Sequence, residues 1–472
     1  IAAKNEARNA FGDDRVFIEK YIEKPRHIEI QILGDKSGNI VWLGERECSI
    51  QRRHQKIIEE APSSFLDQDT RSKMGQQAVK LAQEVQYYSA GTVEFVVNPN
   101  KEFYFLEMNT RLQVEHPVTE SVTKIDLVEQ MINIADNKKL NFNQEDLIVD
   151  GWSFESRLCA ESPIKNFLPS AGRIKELSFP KENIRIDSGY ISGGTVSIYY
   201  DSLLAKIISK GKNRKEAIEV MQKALQEVCI DGVETNIDFL MDIFKNKHFI
   251  KGDINTNFIE EFYKSGYKAE TNNKDELDII AMLAFCYHIN YLISVNKDIH
   301  CISKEWVLHL PYEEINIKLI DIKSNKVEIY FRGIIKEIEF DINYITSLMK
   351  LYNNKKQYIG RVFSSKNFLN IFYNGSNTII KIFSLRVSNL YKKLPKEKKM
   401  DTSKEVFSPM PGKVTKVLVK ENAKVATGDN LLILDAMKME NIIKSDSAAV
   451  VKKIHIKQDD SVLADQLLIT FN

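Results

Sequence analysis

The sequence predicts a multidomain α+β protein, and three observations lead to this fold class. A hairpin pattern with facing acidic residues lies in the first third of the 472-residue chain, around residues 92–115. A long uncharged segment near residue 280 precedes a series of short alternating runs, and an internal repeat covers the C-terminal end. A chain of this length accommodates three or more domains.

The charge balance and the cysteines restrict the class of protein. The formal net charge is +1 at pH 7, so there is no electrostatic basis for binding nucleic acid or an anionic membrane. Five scattered cysteines without a C-x-x-C pair are typical of a reducing compartment. Residues 279–296 contain no Lys, Arg, Asp or Glu and approach the length of a membrane span. Because His288 and Asn290 interrupt them, we expect a helix buried in the protein.

The hairpin pattern indicates a cation site. Residues 92–97 and 103–108 are strand-like, and the Asn-Pro-Asn between them is a turn signal. If the hairpin centres on that turn, Glu94 and Glu107 lie opposite each other, and Asn109 follows on the same face. Facing carboxylates repel, and a bound Mg²⁺ removes that cost. The alternative is a solvent-exposed hairpin that tolerates its acids.

The alternation of polar and apolar residues continues as far as position 115. In an extended chain one side carries five polar groups, namely Glu107, Asn109, Arg111, Gln113 and Glu115. The apolar Met108, Leu112 and Val114 take the other side. We therefore expect a polar wall with cation ligands at one end and an arginine–acid pair at the other.

Longer segments resemble the biotin carboxylase component of biotin-dependent carboxylases, which is an ATP-grasp enzyme. The resemblance extends over about residues 4–260, and the segments that carry it are 25–31, 45–56, 107–120, 155–158 and 199–202. It implies the C-terminal part of an ATP-grasp fold. It also implies that ATP, Mg²⁺ (or Mn²⁺) and bicarbonate bind to this part of the chain.

The resemblance also implies a role for each matching residue. Metal binding falls to Glu94, Glu107 and Asn109, and ATP binding to Glu19, Ile22, His27, Gln51 and His54. Bicarbonate would be held by Lys56, Arg111, Gln113 and the backbone of Val114. The catalytic residues would be Arg111, Glu115 as the base that deprotonates bicarbonate, and Arg157 as the group that stabilises the enolate of biotin.

The middle of the chain predicts a helix followed by an antiparallel barrel. The helix covers residues 275–295. Seven short strands follow, at residues 306–310, 315–319, 326–331, 337–340, 358–362, 369–372 and 379–383. This arrangement resembles the mediator domain that joins the two subunits of acyl-CoA carboxylases. The lysine-rich residues 391–404 are interpreted as a linker.

An internal repeat predicts an all-β domain at the C-terminal end. Residues 412–420 align with residues 449–457, and the same offset pairs Val425 with Val462. Two half-sheets, each too small to bury a core, would pack face to face. The second half has Ala449 and Asp465 in place of the glycines of the first half, so we expect turns there that are strained or differently shaped.

Lys438 lies between the two halves of this repeat, flanked by Met437 and Met439. Exposed methionines at a turn suggest recognition by another protein that modifies the lysine. With the Pro-Met-Pro-Gly at residues 409–412, the segment resembles the hammerhead-like biotinyl domain of the same carboxylases. The resemblance implies covalent biotin on Lys438, attached by a biotin protein ligase. A lipoyl domain shares the shape, and an ordinary exposed lysine is the remaining alternative.

The order of these parts resembles the biotin-bearing α subunit of acyl-CoA carboxylases, nearest to that of propionyl-CoA carboxylase. We expect four segments: biotin carboxylase at 1–265, mediator domain at 266–390, linker at 391–404 and biotinyl domain at 405–472. The expected partner is a carboxyltransferase β subunit in a hetero-oligomer, through which acyl-CoA is reached. Methylcrotonyl-CoA carboxylase is the alternative. The compartment would be the bacterial cytoplasm or the mitochondrial matrix.

The family also has a nucleotide-binding subdomain and a glycine-rich lid, and neither pattern occurs before Glu19. We therefore expect a fragment or a part of a split gene, which would not carboxylate biotin by itself. A non-catalytic biotin carrier and assembly subunit is the corresponding alternative.

Overall fold

The computed structural model describes residues 3–4, 7–8, 12–16, 20–197, 199–264, 266–267, 274–295, 302–323, 325–353, 356–374, 376–394, 404–436 and 439–472. Glu19 and Lys438 lie outside the described residues. The chain divides into two compact units. The first contains Ile1–Ser153 and Gly252–Phe262, and the second contains Phe154–Lys251 and Tyr263–Asn472.

The first unit is built on five neighbouring antiparallel strands. They are β1 (Arg26–Gly34), β2 (Ile40–Arg52), β3 (Gln55–Ala61), β4 (Ser89–Val97) and β5 (Phe103–Asn109). They hydrogen-bond in the order β3-β2-β1-β4-β5. The helices are α1 (Gln68–Glu84), α2 (His116–Thr123) and α3 (Leu127–Ala135), with a 3-10 turn at Gln144–Asp146 and a short helix at Phe258–Phe262.

The two faces of β1 have different chemistry, and this difference positions the site. Ile28, Ile30 and Ile32 point into an apolar cluster that includes buried residues of α1. Glu29 and Gln31 alternate with them and are also fully buried, on the opposite face of the sheet. One face of the sheet is therefore an apolar core, and the other is a buried polar surface.

The second unit begins with a mixed α/β region. Its strands are β6 (Trp152–Cys159), β7 (Glu161–Ser162), β8 (Leu168–Pro169), β9 (Gly172–Arg173), β10 (Glu176–Ser178), β11 (Ile184–Ser188), β12 (Thr195–Val196), β13 (Leu203–Gly211) and β14 (Cys229–Asp231). Its helices are α4 (Arg214–Glu227) and α5 (Ile237–Lys245), with short helices at Pro163–Lys165 and Lys247–Lys251. Asn213 caps α4 by accepting the Glu216 backbone N–H.

A closed eight-stranded antiparallel barrel follows, as the short alternating runs predicted. Its strands are β15 (Glu305–His309), β16 (Glu314–Lys323), β17 (Lys326–Phe331), β18 (Ile334–Asn343), β19 (Leu348–Asn353), β20 (Lys356–Ser364), β21 (Leu369–Tyr373) and β22 (Ser376–Ser384). The sequence prediction missed β19. That strand contains no β-branched residue, so its propensity is weak, and its alternating buried Met349 and Leu351 are the remaining signal.

The apolar helix α6 (Lys274–Val295) packs with the barrel core. By length and composition it could cross a membrane. However, the seven consecutive residues 280–286 are almost completely buried against strand residues of the barrel. The prediction of a buried helix therefore agrees with its packing. A short helix α7 (Leu385–Tyr391) follows the last barrel strand.

The C-terminal domain consists of two four-stranded sheets. Its strands are β23 (Glu405–Phe407), β24 (Gly412–Val417), β25 (Lys424–Val425), β26 (Asn430–Ala436), β27 (Met439–Lys444), β28 (Ala449–Ile454), β29 (Ser461–Val462) and β30 (Leu467–Phe471). The sheet orders are β23-β30-β28-β25 and β27-β26-β24-β29. The repeat is real, because β24, β25 and β26 each begin 37 residues before β28, β29 and β30.

The two halves of the repeat interlock, which the sequence did not predict. The short strand β25 of the first half pairs with β28, and β29 of the second half pairs with β24. Each sheet thus contains strands from both halves. Asp465 has φ 59°, at the position where Gly428 has φ 91°, so the expected strain occurs there. Ala449 is not among the residues with positive φ, so the expected strain at that turn is absent.

Candidate functional site

The predicted pairing of the two acidic strands is confirmed by their register. Glu94 on β4 lies opposite Glu107 on β5, and Thr92 lies opposite Asn109. Glu94 is buried, whereas Glu107 is exposed. The side-chain amide of Asn109 donates to an oxygen of Glu94 at 3.0 Å and to an oxygen of Glu107 at 3.1 Å. Two carboxylates therefore converge on one positively polarised group.

The polar wall exists, but an extended strand does not form it. Strand β5 ends at Asn109, and the chain turns before α2 begins at His116. The prediction of an extended run up to residue 115 is therefore wrong. Gln113 and Glu115 nevertheless return to the same face, because Gln113 Nε2 donates to Glu94 Oε1 at 2.7 Å. Glu115 Oε1 lies 2.5 Å from Lys56 Nζ.

Lys56 on β3 joins three carboxylates. Its ammonium nitrogen lies 2.6 Å from Glu29, 3.2 Å from Glu94 and 2.5 Å from Glu115. Burial opposes the charged form of Lys56, but these carboxylates outweigh it and raise its pKa. Burial would likewise raise the pKa of Glu29, yet Arg46 and Lys56 lower it to about 2. The face therefore holds ionised groups of both signs at neutral pH.

The pKa of Glu94 also falls to about 2, although burial acts in the opposite direction. The hydrogen bond from His27 is the first cause of the decrease, and the charge of Lys56 is the next. His27 Nε2 lies 2.7 Å from Glu94 Oε2. Donor atoms of His27, Glu29 and Glu94 lie within 4.8 Å of one another. The buried end of the site is thus a compact group of possible metal ligands.

The remaining residues with an expected nucleotide role lie in different surroundings. Gln51 is buried on β2 and pairs with Lys56 in the β2–β3 register. His54 is exposed at the two-residue turn that follows β2, where Arg53 and His54 have φ values of 48° and 65°. Two consecutive non-glycine residues in the left-handed region are strained. Ile22 is half-buried before β1.

Arg111, Val114 and Arg157 complete the expected set. Arg111 is exposed, and its guanidinium lies 3.4 Å from Asn109 Oδ1. Val114 is half-buried in the turn that leads to α2. Arg157 is half-buried on β6 in the second unit, where its carbonyl accepts a hydrogen bond from Asn236 Nδ2 at 2.9 Å.

Two functional candidates were not identified from the sequence. Glu29 and Arg46 are fully buried, and Arg46 Nε donates to Glu29 Oε1 at 2.5 Å. The strict alternation of polar and isoleucine residues in β1 was the signal that could have located Glu29. Arg46 had no comparable signal, because nearly every residue of β2 is buried, whether polar or apolar, and no alternation marks one face.

Family models match three parts of the chain. The model described as Carbamoyl-phosphate synthase L chain, ATP binding domain, matches residues 1–143. Biotin carboxylase C-terminal domain matches residues 155–261, and Biotin-requiring enzyme matches residues 404–471. Together, these matches in this order define the class of biotin-dependent carboxylases.

Known relatives refine this class. The chain is 39% identical to the propionyl-CoA carboxylase alpha chain of Ruegeria pomeroyi, covering 100% of this chain and 73% of that one. It is 40% identical to the mitochondrial propionyl-CoA carboxylase alpha chain of Homo sapiens, covering 99% and 66%. The chain belongs to the α-chain family of biotin-dependent acyl-CoA carboxylases. It spans 64% of the length of its Caenorhabditis elegans relative, at 40% identity over 93% of this chain.

Solved structures of biotin carboxylase domains are similar to more than half of the chain. The biotin carboxylase domain of a thermophilic 2-oxoglutarate carboxylase bound to bicarbonate is 47% identical, with a TM-score of 0.54 over 55% of this chain and 59% of that chain. The corresponding domain of the Hydrogenobacter thermophilus enzyme, in complex with MgADP, ADP and bicarbonate, is 46% identical. Its TM-score is 0.55 over 57% of this chain and 60% of that chain.

Proposed function

We propose that the protein containing this chain carboxylates biotin with ATP and bicarbonate, for transfer of the carboxyl group to propionyl-CoA. The observation that carries the proposal is the position of Lys56 between Glu29, Glu94 and Glu115. Lys56 is half-buried and its three donors each meet one of these carboxylates, so it would hold a small oxyanion by exchanging one of those partners, with Glu115 next to it as the base. The names of the relatives support the acyl-CoA substrate.

The metal ligands in this proposal are Glu94, Glu107 and Asn109. Their fit rests on the donor set, since carboxylate and amide oxygens are the ligands that Mg²⁺ prefers. The Asn109 amide nitrogen now donates to both carboxylates, so a cation at that position would meet two acceptors that already converge. A bound Mg²⁺ would neutralise charge on the ATP phosphates. Ile22, His27, Gln51 and His54 would line the nucleotide site, together with Glu19.

Bicarbonate would bind to Lys56, Arg111, Gln113 and the backbone of Val114. Glu115 would take its proton while a bicarbonate oxygen bonds to the γ-phosphorus, and ADP would leave with the bridging oxygen as the bond to the γ-phosphorus breaks. The 2.5 Å contact between Glu115 and Lys56 supports this role, because it places the base next to the cation that would hold the anion. Arg157 would stabilise the enolate of biotin. Fixed positive groups around developing negative charge are the main source of rate in such reactions.

Biotin would be attached to Lys438 by a biotin protein ligase, and residues 391–404 would act as a linker. Tethering raises the effective concentration of the carried group at both reaction centres. We propose that residues 1–265 form the carboxylase part, 405–472 the carrier part, and 266–390 the part that binds a carboxyltransferase β subunit. Acyl-CoA would be bound by that subunit. The compartment would be the mitochondrial matrix in a eukaryote or the cytoplasm in a bacterium.

The test uses the biotinylated protein purified together with its carboxyltransferase chain. It is supplied with ATP, Mg²⁺, labelled bicarbonate and one acyl-CoA at a time, and acid-stable label is counted. We expect propionyl-CoA to be carboxylated with the highest kcat/KM. A preference for methylcrotonyl-CoA would identify the alternative acyl-CoA. Bound biotin without ATP turnover would instead identify a carrier and assembly subunit, and would contradict the proposal.

A further inference from the structure

Arg46 uses all of its hydrogen-bonding capacity within the polar face of the first unit. Its side chain is 0% exposed, and each of the five N–H groups of its guanidinium has an acceptor at 2.5–3.0 Å. Those acceptors are Glu29 Oε1, Gln31 Oε1, Thr119 Oγ1, Thr92 Oγ1 and Gln113 Oε1. They come from β1, β4, α2 and the turn before it. The guanidinium therefore has a single orientation.

This orientation determines which end of the Gln113 amide faces the candidate site. Arg46 Nη2 donates to Gln113 Oε1 at 2.9 Å, and Gln113 Nε2 donates to Glu94 Oε1 at 2.7 Å. An arginine can only donate, so the oxygen of this amide must face Arg46 and its nitrogen must face Glu94. The second N–H of Nε2 can then be offered to an oxyanion. A reversed amide would present its oxygen there and repel the anion.

Arg46 also determines the position of Lys56, with Glu29 as the intermediate. One oxygen of Glu29 accepts from Arg46 Nε at 2.5 Å, and the other accepts from Lys56 Nζ at 2.6 Å. Glu29 thus joins the two cations, one on each of its oxygens, and this shared carboxylate holds Lys56 close to Arg46.

We propose that Arg46 is a positioning residue for the oxyanion subsite, acting directly on Gln113 and through Glu29 on Lys56. The inference rests on the proposed function, which assigns bicarbonate binding to Lys56 and Gln113. The competing interpretation is that Arg46 only stabilises the fold. The two interpretations differ in what a substitution does to bicarbonate affinity in protein that is still folded.

The test compares Arg46→Lys with Arg71→Lys in the full-length protein. A lysine has three donors on a flexible stem, so it retains the charge at position 46 but cannot satisfy five acceptors. Arg71 is a matched control in the same unit, because both oxygens of Glu45 accept from its Nε at 2.8 Å. Among the bonds described, Arg71 and Glu45 make none to Lys56 or Gln113. We expect Arg46→Lys to raise the KM for bicarbonate about tenfold or more, with less than about a threefold change in the KM for MgATP.

A second readout does not depend on turnover. The melting temperature is followed during a bicarbonate titration in MgADP, which gives an apparent affinity from ligand stabilisation. Arg46→Lys should shift the bicarbonate midpoint about tenfold, and Arg71→Lys should leave it unchanged. If wild type shows the midpoint without turnover and Arg46→Lys still shifts it, the inference stands and the proposed function fails. If the enzyme turns over but Arg46→Lys leaves the bicarbonate midpoint unshifted, the inference is overturned and the proposed function stands. If bicarbonate does not stabilise wild type at all, the inference is overturned too.

Two further variants keep the result decisive if Arg46→Lys folds poorly. Thr92→Val retains the side-chain volume and removes one of the two acceptors of Arg46 Nη2, so we expect a smaller increase in the same midpoint. The double variant Arg46→Lys/Gln113→Ala should be little worse than Gln113→Ala, because Arg46 acts partly through that amide. Fully additive effects of Arg46→Lys and Gln113→Ala, together with no effect of Thr92→Val, would show a purely structural role.

Discussion

Glu94 and Glu107 lie directly opposite each other in the β4–β5 register, and the Asn109 amide donates to both of them. Glu94 has four polar neighbours in His27, Lys56, Asn109 and Gln113, whereas Glu107 is exposed. The two carboxylates therefore differ in how freely they can change partners. Glu107 can turn towards a cation at little cost, and Glu94 provides a fixed ligand.

This asymmetry leads to the first prediction. In the full-length protein, Glu107→Gln should lower ATP turnover at least about tenfold at limiting Mg²⁺, which corresponds to roughly 1.4 kcal/mol. Rising Mg²⁺ should recover part of the loss, because the ligand removed acts on the metal. The control is Glu102→Gln, since Glu102 is exposed at the same hairpin and its carboxylate accepts from Asn98. Turnover of Glu107→Gln that equals that of Glu102→Gln at every Mg²⁺ concentration would contradict a metal site here.

The second prediction concerns the covalent modification. Coexpression with a biotin ligase should add the mass of one biotinyl group to the chain, and Lys438→Arg should abolish that shift. Strand β26 ends at Ala436 and strand β27 begins at Met439, and these two residues pair with each other, so Lys438 falls in the sequence between two paired strands. Lys444→Arg, at the far end of β27, is the control and should leave the mass shift intact. A biotinyl group that remains in Lys438→Arg would place the attachment elsewhere.

The third prediction concerns the stability of the barrel as a function of pH. The rings of His288 on α6 and Trp306 meet edge to face, with their centroids 4.9 Å apart. Burial lowers the pKa of His288 to about 4. With a lowered pKa, His288 stays neutral in the folded protein at pH values where it is already protonated in the unfolded chain. As the pH falls, the unfolded chain therefore binds the proton first. The stabilisation is therefore complete above pH 6.5 and is lost between pH 6.5 and about 4, by up to about 3 kcal/mol.

His288→Phe tests this, because it keeps an aromatic ring beside Trp306 and removes the titration. The melting temperature of the variant should depend less on pH than that of wild type between pH 7 and 5. Glu29 and Glu94 do not interfere, because their lowered pKa values act between about pH 4.5 and pH 2. His248→Gln, at an exposed histidine, is the control and should follow wild type. Parallel curves for wild type and His288→Phe would show that His288 makes no such contribution.

The fourth prediction uses the two halves of the C-terminal repeat as controls for each other. Gly428 has φ 91°, and a Cβ at that position would meet no atom within 4 Å. Gly428→Asp should therefore cost only conformational strain, roughly 1 kcal/mol. Asp465→Gly should do the opposite and stabilise the domain by up to about 1 kcal/mol, since Asp465 already has φ 59°. Chemical denaturation of the domain transition measures both. A stabilising Gly428→Asp would contradict the argument.

The sequence predicted the strands of the candidate site better than the turns. The register of Glu94 and Glu107 followed from the turn signal between two β-propensity runs, which is local information. The return of Gln113 and Glu115 to the same face did not, because β5 ends at Asn109 and the side chains of these two residues bond to β2, β3 and β4. The polar composition of the face was therefore correct, while the backbone conformation that produces it was wrong.

The sequence by itself determined the order of the parts, the apolar helix, the barrel pattern and the repeat around Lys438. The order of the parts follows from the resemblance to biotin-dependent carboxylases, and the other features depend on periodicity and on residues close to one another in the chain. Only the tertiary structure decided that β25 and β29 exchange between the two sheets and that Arg46 joins four segments. The physical reason is that a buried polar group must find its partners wherever the fold places them. The partners of Arg46 span positions 29 to 119, so no local pattern specifies them.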